Sequence, residues 1–127
     1  MRRPSAATPG SAGRARRRAE YSAWMRSAAW LEHRRAWAGR WAKAHGTGPV
    51  CQVCGTPWSL RHGDLHHRSY ARLGHEADMD LVPLCRACHG QLHRVFESST
   101  GWLRLGLEAA TDQVVARMRA KRRDASA

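Results

Sequence analysis

The chain has 127 residues, the size of one small domain with tails. It carries 22 lysines and arginines against 10 aspartates and glutamates, a net charge of +12, which favours a polyanionic partner such as nucleic acid or an anionic membrane surface. By itself this charge favours nucleic acid only slightly over an arginine-rich, solvated surface. No stretch approaches the ~20 apolar residues that span a bilayer, and the N-terminus lacks the apolar region of a secretory signal.

The N-terminal third predicts a tail followed by one long helix. Residues 1–13 are rich in Pro, Gly, Ser and Ala, which is typical of a disordered basic tail. Residues 14–46 contain no proline, and their apolar side chains recur at helical spacing, so the pattern predicts a single helix. Its tryptophans are interpreted as packing against the rest of the fold rather than stacking on bases. The glycines and proline from Gly46 to Pro49 end this helix.

Residues 47–97 are expected to form the core of the protein. Within them, the apolar runs on either side of a turn at His62 to Asp64 predict a β-hairpin from Trp58 to His67. Residues 68–79 are expected to be a loop, and Leu84 to Phe96 a short helix.

The last segment, residues 98–127, is predicted to contain a second helix and to end in a basic tail. The helix is placed from Leu107 to Arg122, where apolar side chains again recur at helical spacing. Together with the hairpin, these elements predict a small α+β fold with a long N-terminal and a C-terminal helix flanking the core.

All the cysteines lie in two Cys-x-x-Cys pairs, which are Cys51, Cys54, Cys85 and Cys88. Zinc takes four tetrahedral ligands and binds thiolates well, so two such pairs predict one closed, structural Zn²⁺ site. A redox dithiol would explain one pair but not two. Cysteines spaced for metal rather than for disulfides also indicate a reducing compartment, which we expect to be the cytoplasm.

Histidines close to these cysteines predict a second metal site. His89 and His93 are four residues apart and therefore project from one face of the predicted helix. The zinc would bring His66 of the hairpin against that face, and three histidines leave coordination positions open, as a catalytic metal requires. His67 follows His66 in the strand, so it points to the opposite face and could act as a base near the ion.

These residues resemble the HNH endonuclease family, whose fold is the ββα-metal finger, and in particular its zinc-stapled branch from bacteria and their phages. The resemblance covers residues 50–94 and is carried by four motifs, which are Leu65-His66-His67-Arg68-Ser69-Tyr70, Leu73-Gly74-His75-Glu76, Asp80-Leu81-Val82-Pro83-Leu84-Cys85 and Cys88-His89-x3-His93.

The resemblance implies that His66, His89 and His93 bind a catalytic divalent metal and that His67 is the general base. Three imidazoles favour transition metals, so Mn²⁺, Ni²⁺, Co²⁺ or Zn²⁺ stands beside Mg²⁺ as a candidate. Asp80 takes the place of the middle Asn of the family name, which orients the finger by hydrogen bonds. Glu76 is a candidate for an oxygen ligand in the metal shell.

The function that the resemblance implies is metal-dependent hydrolysis of DNA phosphodiester bonds, nicking with low sequence selectivity. The expected partner is DNA and not a membrane, and the expected location is the cytoplasm of a bacterial host. Whether the protein works within a larger phage or restriction machinery, and whether it is a monomer or a homodimer, is left open. The candidate phosphate contacts are Arg68, Arg72, Arg86 and Arg94. A non-catalytic, zinc-dependent nucleic-acid-binding module is the alternative, and it would explain the cysteines and the charge but not the histidines.

Overall fold

The computed structural model of the chain describes residues 11–126 and has a small α+β fold. Its two-stranded antiparallel sheet is formed by β1 (Gly63–His67) and β2 (Leu81–Cys85). The described residues also form five α-helices, which are α1 (Ser11–Met25), α2 (Ala28–His45), α3 (Arg86–Ser98), α4 (Thr100–Arg104) and α5 (Leu107–Ser126). A short 3-10 helix, Asp78–Asp80, leads into β2.

The prediction of one helix over residues 14–46 is wrong, because the chain breaks between α1 and α2. Ser27 causes the break: its hydroxyl accepts a hydrogen bond from the Trp30 backbone N–H (3.0 Å) and donates one to the Trp24 carbonyl (2.7 Å). Such a side chain caps the first turn of the new helix, here α2. The end of α2 is as predicted, since Gly46 takes the left-handed conformation (φ 75°) that closes it.

The predicted disordered tail, residues 1–13, falls mostly outside the described residues. Its last three residues, 11–13, are instead the first turn of α1.

The prediction of a hairpin from Trp58 to His67 is also wrong. β1 pairs with β2 across the loop 68–80, with Gly63 opposite Cys85 and His67 opposite Leu81. The Trp58 region forms turns instead, and the Trp58 indole donates to the Asp64 carbonyl (2.8 Å) while its ring fills the space next to Gly63 that a Cβ would occupy. Packing between residues far apart in the sequence therefore decides which strand pairs with β1, and the nearest apolar run does not.

Two apolar clusters cover the faces of this sheet and its neighbouring helices. One contains Trp30 and Trp37 of α2, which are 4% and 2% exposed and pack with Trp58, Leu65 and Leu81. The tryptophans of the N-terminal segment thus pack on the core, as the periodicity predicts.

The second apolar cluster joins α3 to α5 and contains two of the cysteines. Its side chains are Cys51, Val53, Leu84, Cys88, Leu92, Phe96, Ala110, Val114 and Met118. Burial in this cluster holds α5 against α3, so the C-terminal helix is part of the fold rather than an appendage.

The C-terminal helices differ modestly from the prediction. α3 begins at Arg86, because Leu84 and Cys85 belong to β2, and α5 contains the predicted Leu107 to Arg122 stretch but continues to Ser126. The short α4 was not predicted; Ser99 caps it by accepting from the Gly101 N–H (3.1 Å). Within residues 11–126, none of the helices has the combination of length and apolar character that a membrane crossing requires.

Candidate metal centres

The four cysteines converge on one point. Cys51 and Cys54 lie in a turn before β1, Cys85 ends β2 and Cys88 lies in the first turn of α3. Their sulfur atoms all lie within 4.8 Å of one another, and the Sγ atoms of Cys54 and Cys85 are 3.8 Å apart. Two sulfurs bound tetrahedrally to one zinc ion at ~2.3 Å are separated by about 3.8 Å, so the donor set fits a structural metal ion.

The cysteine cluster is half buried, with Cys54 and Cys85 partly exposed. Cys51 and Cys88 are 2% and 1% exposed, and both belong to the α3–α5 apolar cluster. Burial and the neighbouring Cys85 raise the pKa of Cys88 well above its ordinary value. Burial would raise the pKa of Cys54, but hydrogen bonds with Thr56, Cys51 and Cys85 together outweigh burial and lower it to about 6. Four adjacent thiolates repel one another, so a cation is what allows all of them to ionise together.

The three histidines predicted as metal ligands also converge. His66 Nδ1 is 3.4 Å from His89 Nε2, which is 3.0 Å from His93 Nε2, and one nitrogen of each ring lies within 4.8 Å of the others. Nitrogens bound to one metal at about 2.0–2.1 Å, with angles between octahedral and tetrahedral, are separated by about 3.0–3.4 Å. The histidine set therefore also fits a single ion.

Hydrogen bonds on the far side of two of these rings hold them in place. His66 Nε2 is 2.9 Å from the Thr111 hydroxyl of α5, and His89 Nδ1 is 3.0 Å from Asp64 Oδ2. Burial, together with His89 and His93, lowers the pKa of His66 to about 3, so that ring is neutral, as a metal ligand must be.

Sequence reasoning missed both of these supporting residues. Asp64 precedes His66 by two positions in β1, so strand alternation alone could have placed it on the same face. Thr111 is 45 residues from His66, and no local pattern marks it.

His67 points to the opposite side of β1, as the strand alternation predicts. Its Nε2 is 2.7 Å from Glu76 Oε2, and its ring is stacked between Trp30 and Tyr70, with centroid distances of 5.4 and 5.0 Å. The His67 side chain is only 1% exposed, so its orientation is fixed by contacts on every side but the one that faces the cleft described below.

Glu76 belongs with His67 rather than with the three converging histidines. Its Oε2 also accepts from the Trp24 indole (2.9 Å) and its Oε1 from the Gly74 N–H (2.9 Å). Burial raises the pKa of Glu76, but the hydrogen bonds with His67, with its own backbone and with Trp24 outweigh burial and lower it overall. Because both of its oxygens are engaged on this side of the strand, the expectation that Glu76 supplies an oxygen to the metal shell is not met.

Asp80 is held by hydrogen bonds and lies in neither donor cluster. Arg72 binds both of its carboxylate oxygens, and the Ala77 N–H donates to Oδ2 (2.9 Å). Its carbonyl accepts from the Arg68 N–H (2.7 Å), which closes the loop 68–80 at the base of the sheet. Asp80 is 1% exposed, and the Arg72 guanidinium lowers the pKa of its carboxyl.

The arginines predicted to contact phosphate are placed differently from one another. Arg68 makes a two-point ion pair with Asp112 (2.9 and 2.8 Å), and Arg72 is bound to Asp80. Arg86 and Arg94 are exposed, and Arg86 alone of the four lines the cleft described next.

A cleft of about 280 Å³ lies at the histidines. All of His66, His67, His89 and His93 contribute to its walls. The other walls include Tyr21, Trp30, Arg34, Tyr70 and Arg86. The converging histidines and the Glu76-bound imidazole therefore border the same cleft.

Comparison of the chain with models of known protein families, with curated proteins and with solved structures gave no match.

Proposed function

We propose that the protein is a metal-dependent DNA endonuclease of the HNH type, with β1, β2 and α3 as its ββα-metal finger. One observation carries the proposal. Three histidine nitrogens converge in a cleft. His67, which follows His66 in β1, lines the same cleft, and the buried Glu76 carboxylate holds its ring. An ion site beside an oriented imidazole can supply both the charge and the base that hydrolysis of a phosphodiester uses.

The two donor sets take different ions in this proposal. Cys51, Cys54, Cys85 and Cys88 would hold a structural Zn²⁺, and His66, His89 and His93 a catalytic divalent cation, either Mg²⁺ or one of the transition metals that imidazoles prefer. When bound, the catalytic ion would supply positive charge to the phosphate and to the departing 3′ oxygen. The exposed guanidinium of Arg86 lies in the same cleft and would contact the phosphate as well.

His67 would act as the general base through a defined nitrogen. An ionised Glu76 carboxylate can only accept a hydrogen bond, so His67 Nε2 would donate to it and Nδ1 would carry the lone pair. That nitrogen takes a proton from water, the water oxygen bonds to phosphorus in line, and the bond from phosphorus to the 3′ oxygen breaks. The departing 3′ oxygen takes a proton from solvent, so the products are a 5′-phosphate and a 3′-hydroxyl, and His67 afterwards loses its proton to solvent. Trp30 and Tyr70 fix the plane of the ring during this step.

One such site cuts one strand, so nicking of supercoiled plasmid is the direct test. Wild type, His67→Ala and His89→Ala are compared with Mg²⁺, Mn²⁺, Co²⁺, Ni²⁺ and Zn²⁺, with His62→Ala as the control because His62 is exposed and lies outside the cleft. We expect His67→Ala to nick about 10²- to 10⁴-fold more slowly while still binding the second ion. His89→Ala should lose both the second ion and the activity, and His62→Ala should match wild type.

Two outcomes would contradict the proposal in different ways. Wild-type protein that binds DNA but cuts it with none of the metals would leave a zinc-dependent nucleic-acid-binding module. His67→Ala with wild-type activity would remove the base assignment and leave the metal site standing.

A further inference from the structure

Helix α1 contributes no buried residue to the fold, although it is 15 residues long. It is anchored at its C-terminal end, where Trp24 and Met25 pack against the Trp30–Trp37 cluster and the Trp24 indole donates to Glu76 Oε2 (2.9 Å). Residues 11–20 are almost all exposed and gain little from packing, so the position of this part of the helix calls for another reason.

One face of α1 is basic and ends in a tyrosine. Arg14, Arg17, Arg18 and Tyr21 are spaced i, i+3, i+4 and i+7, and residues so spaced share one side of a helix. Together with Tyr70 and Leu73 of the loop after β1, they line a groove of about 520 Å³. Glu20 is the one acidic residue in this lining, so the groove is predominantly positive.

The groove and the histidine cleft share a wall. Tyr21 and Tyr70 line both, and their rings meet edge to face at 5.4 Å. Tyr70 also stacks on His67, so the basic groove begins one ring away from the proposed general base. A chain that leaves the cleft on this side passes directly onto the arginine face of α1.

We propose that this groove binds the DNA backbone on one side of the scissile phosphate, with Arg17 and Arg18 contacting phosphates and the two tyrosines contacting the nucleotide between groove and cleft. This inference rests on the proposed function and specifies how the substrate lies. A DNA strand fits because it is a polyanion with aromatic bases, and the groove offers guanidinium groups beside aromatic rings. The function of α1 is thus to hold substrate rather than to build the core.

The test measures how the full-length, zinc-loaded protein binds a fluorescent DNA duplex when no second metal is added. Fluorescence anisotropy reports the affinity over a range of salt concentrations. The variant is Arg17→Ala/Arg18→Ala. The matched control is Arg16→Ala/Arg26→Ala, which removes the same charge outside the groove. Arg16 lies on the opposite face of α1, about 160° from Arg18. All four arginines are exposed, so circular dichroism and the melting temperature should stay at wild-type values.

We expect the Arg17/Arg18 variant to bind about tenfold or more weakly and to lose about 1.8 from the slope of log affinity against log salt, about 0.9 for each phosphate contact. It should also nick plasmid more slowly, whereas the Arg16/Arg26 control should stay close to wild type in both assays. If both variants lose the same DNA affinity while wild type still nicks plasmid, the proposal for the groove is wrong and the proposed nuclease activity stands. If wild type neither binds nor nicks DNA, the proposed function itself fails.

Discussion

The cysteine cluster and the histidine cluster share helix α3, where Cys88 and His89 are adjacent, yet they are built differently. The cysteine cluster offers four protein ligands, two of them in the apolar core, from the turn before β1 and from the junction of β2 with α3. The histidine cluster runs from His66, 2% exposed, to His93 at the surface, and it opens into a cleft. A closed donor set can only stabilise the fold, whereas an open one can also admit a substrate.

The supports of the two clusters differ as well. Backbone turns position the cysteines, with the Gly55 N–H donating to the Cys51 carbonyl (2.9 Å). Side chains from other elements position the histidines: Thr111 of α5 holds His66, and Asp64 of β1 holds His89. Loss of a cysteine should therefore affect the whole fold, and loss of a histidine support should affect only the ion in the cleft.

The largest effect is expected for Cys88→Ser. It removes a buried member of the proposed zinc site, and a structural zinc ion supplies folding free energy on the order of 10 kcal/mol in small zinc domains. We expect the variant to be isolated without the tightly held zinc and to lose its cooperative thermal transition, as measured by metal analysis and circular dichroism.

His89→Ala, one residue along α3, is the matched control for this prediction and should melt within a few degrees of wild type. A strong chelator should unfold wild type just as Cys88→Ser does, which separates loss of the ion from loss of side-chain packing. A zinc-free Cys88→Ser protein with wild-type melting temperature would contradict the structural role of the cysteine cluster.

A smaller and more local effect is expected for Thr111→Val, which keeps the side-chain shape but removes the hydroxyl bound to His66 Nε2. Without it the ring is free to rotate or change tautomer, so the cleft should bind Co²⁺ about 10- to 100-fold more weakly. Calorimetric titration of the zinc-loaded protein and the visible absorption of bound Co²⁺ both report this affinity.

Thr111→Ser restores the hydroxyl and should recover most of the Co²⁺ affinity, which a purely structural role of Thr111 would not predict. The cysteine-bound zinc should be retained in both variants. Wild-type Co²⁺ binding by Thr111→Val would show that the histidine cluster does not depend on α5.

The smallest effect on stability is expected for Asp80→Asn. Asp80 belongs to neither the cysteine nor the histidine cluster, and the substitution weakens the contacts that close the loop 68–80 between β1 and β2. Arg72 lowers the pKa of Asp80, so the ionised carboxylate stabilises the fold above its ordinary pKa of 3.8. That contribution is present at neutral pH and is lost as the pH falls through and below this value, where the carboxyl takes up a proton in the folded protein too.

The measurement is the difference in unfolding free energy between wild type and Asp80→Asn in urea, at a series of pH values. The difference should favour wild type at neutral pH and shrink towards zero in acid. Protonation of the metal ligands affects both proteins and cancels in the difference. A difference that does not change with pH would mean that the Arg72 pair does not set the pKa of Asp80.

Much of the site could be predicted from short spacings. Cys-x-x-Cys places two sulfurs in one turn, and His89 and His93 share a helix face, because backbone geometry alone brings residues so spaced together. The opposite orientation of His66 and His67 follows equally from strand alternation. The hairpin prediction failed because it assumed the nearest partner, whereas β1 pairs with a strand beyond the loop 68–80.

The sequence by itself determined the two donor sets, the apolar helix faces and the basic charge, since each depends on residue type and on spacings within a few positions. Only the tertiary structure decided which residues support the histidines. Glu76 contacts His67 and Thr111 contacts His66 through tertiary packing, and the arginine face of α1 lines a groove that shares Tyr21 and Tyr70 with the cleft. Contacts between residues far apart in the chain depend on how the two apolar clusters fill space, and no local pattern records that.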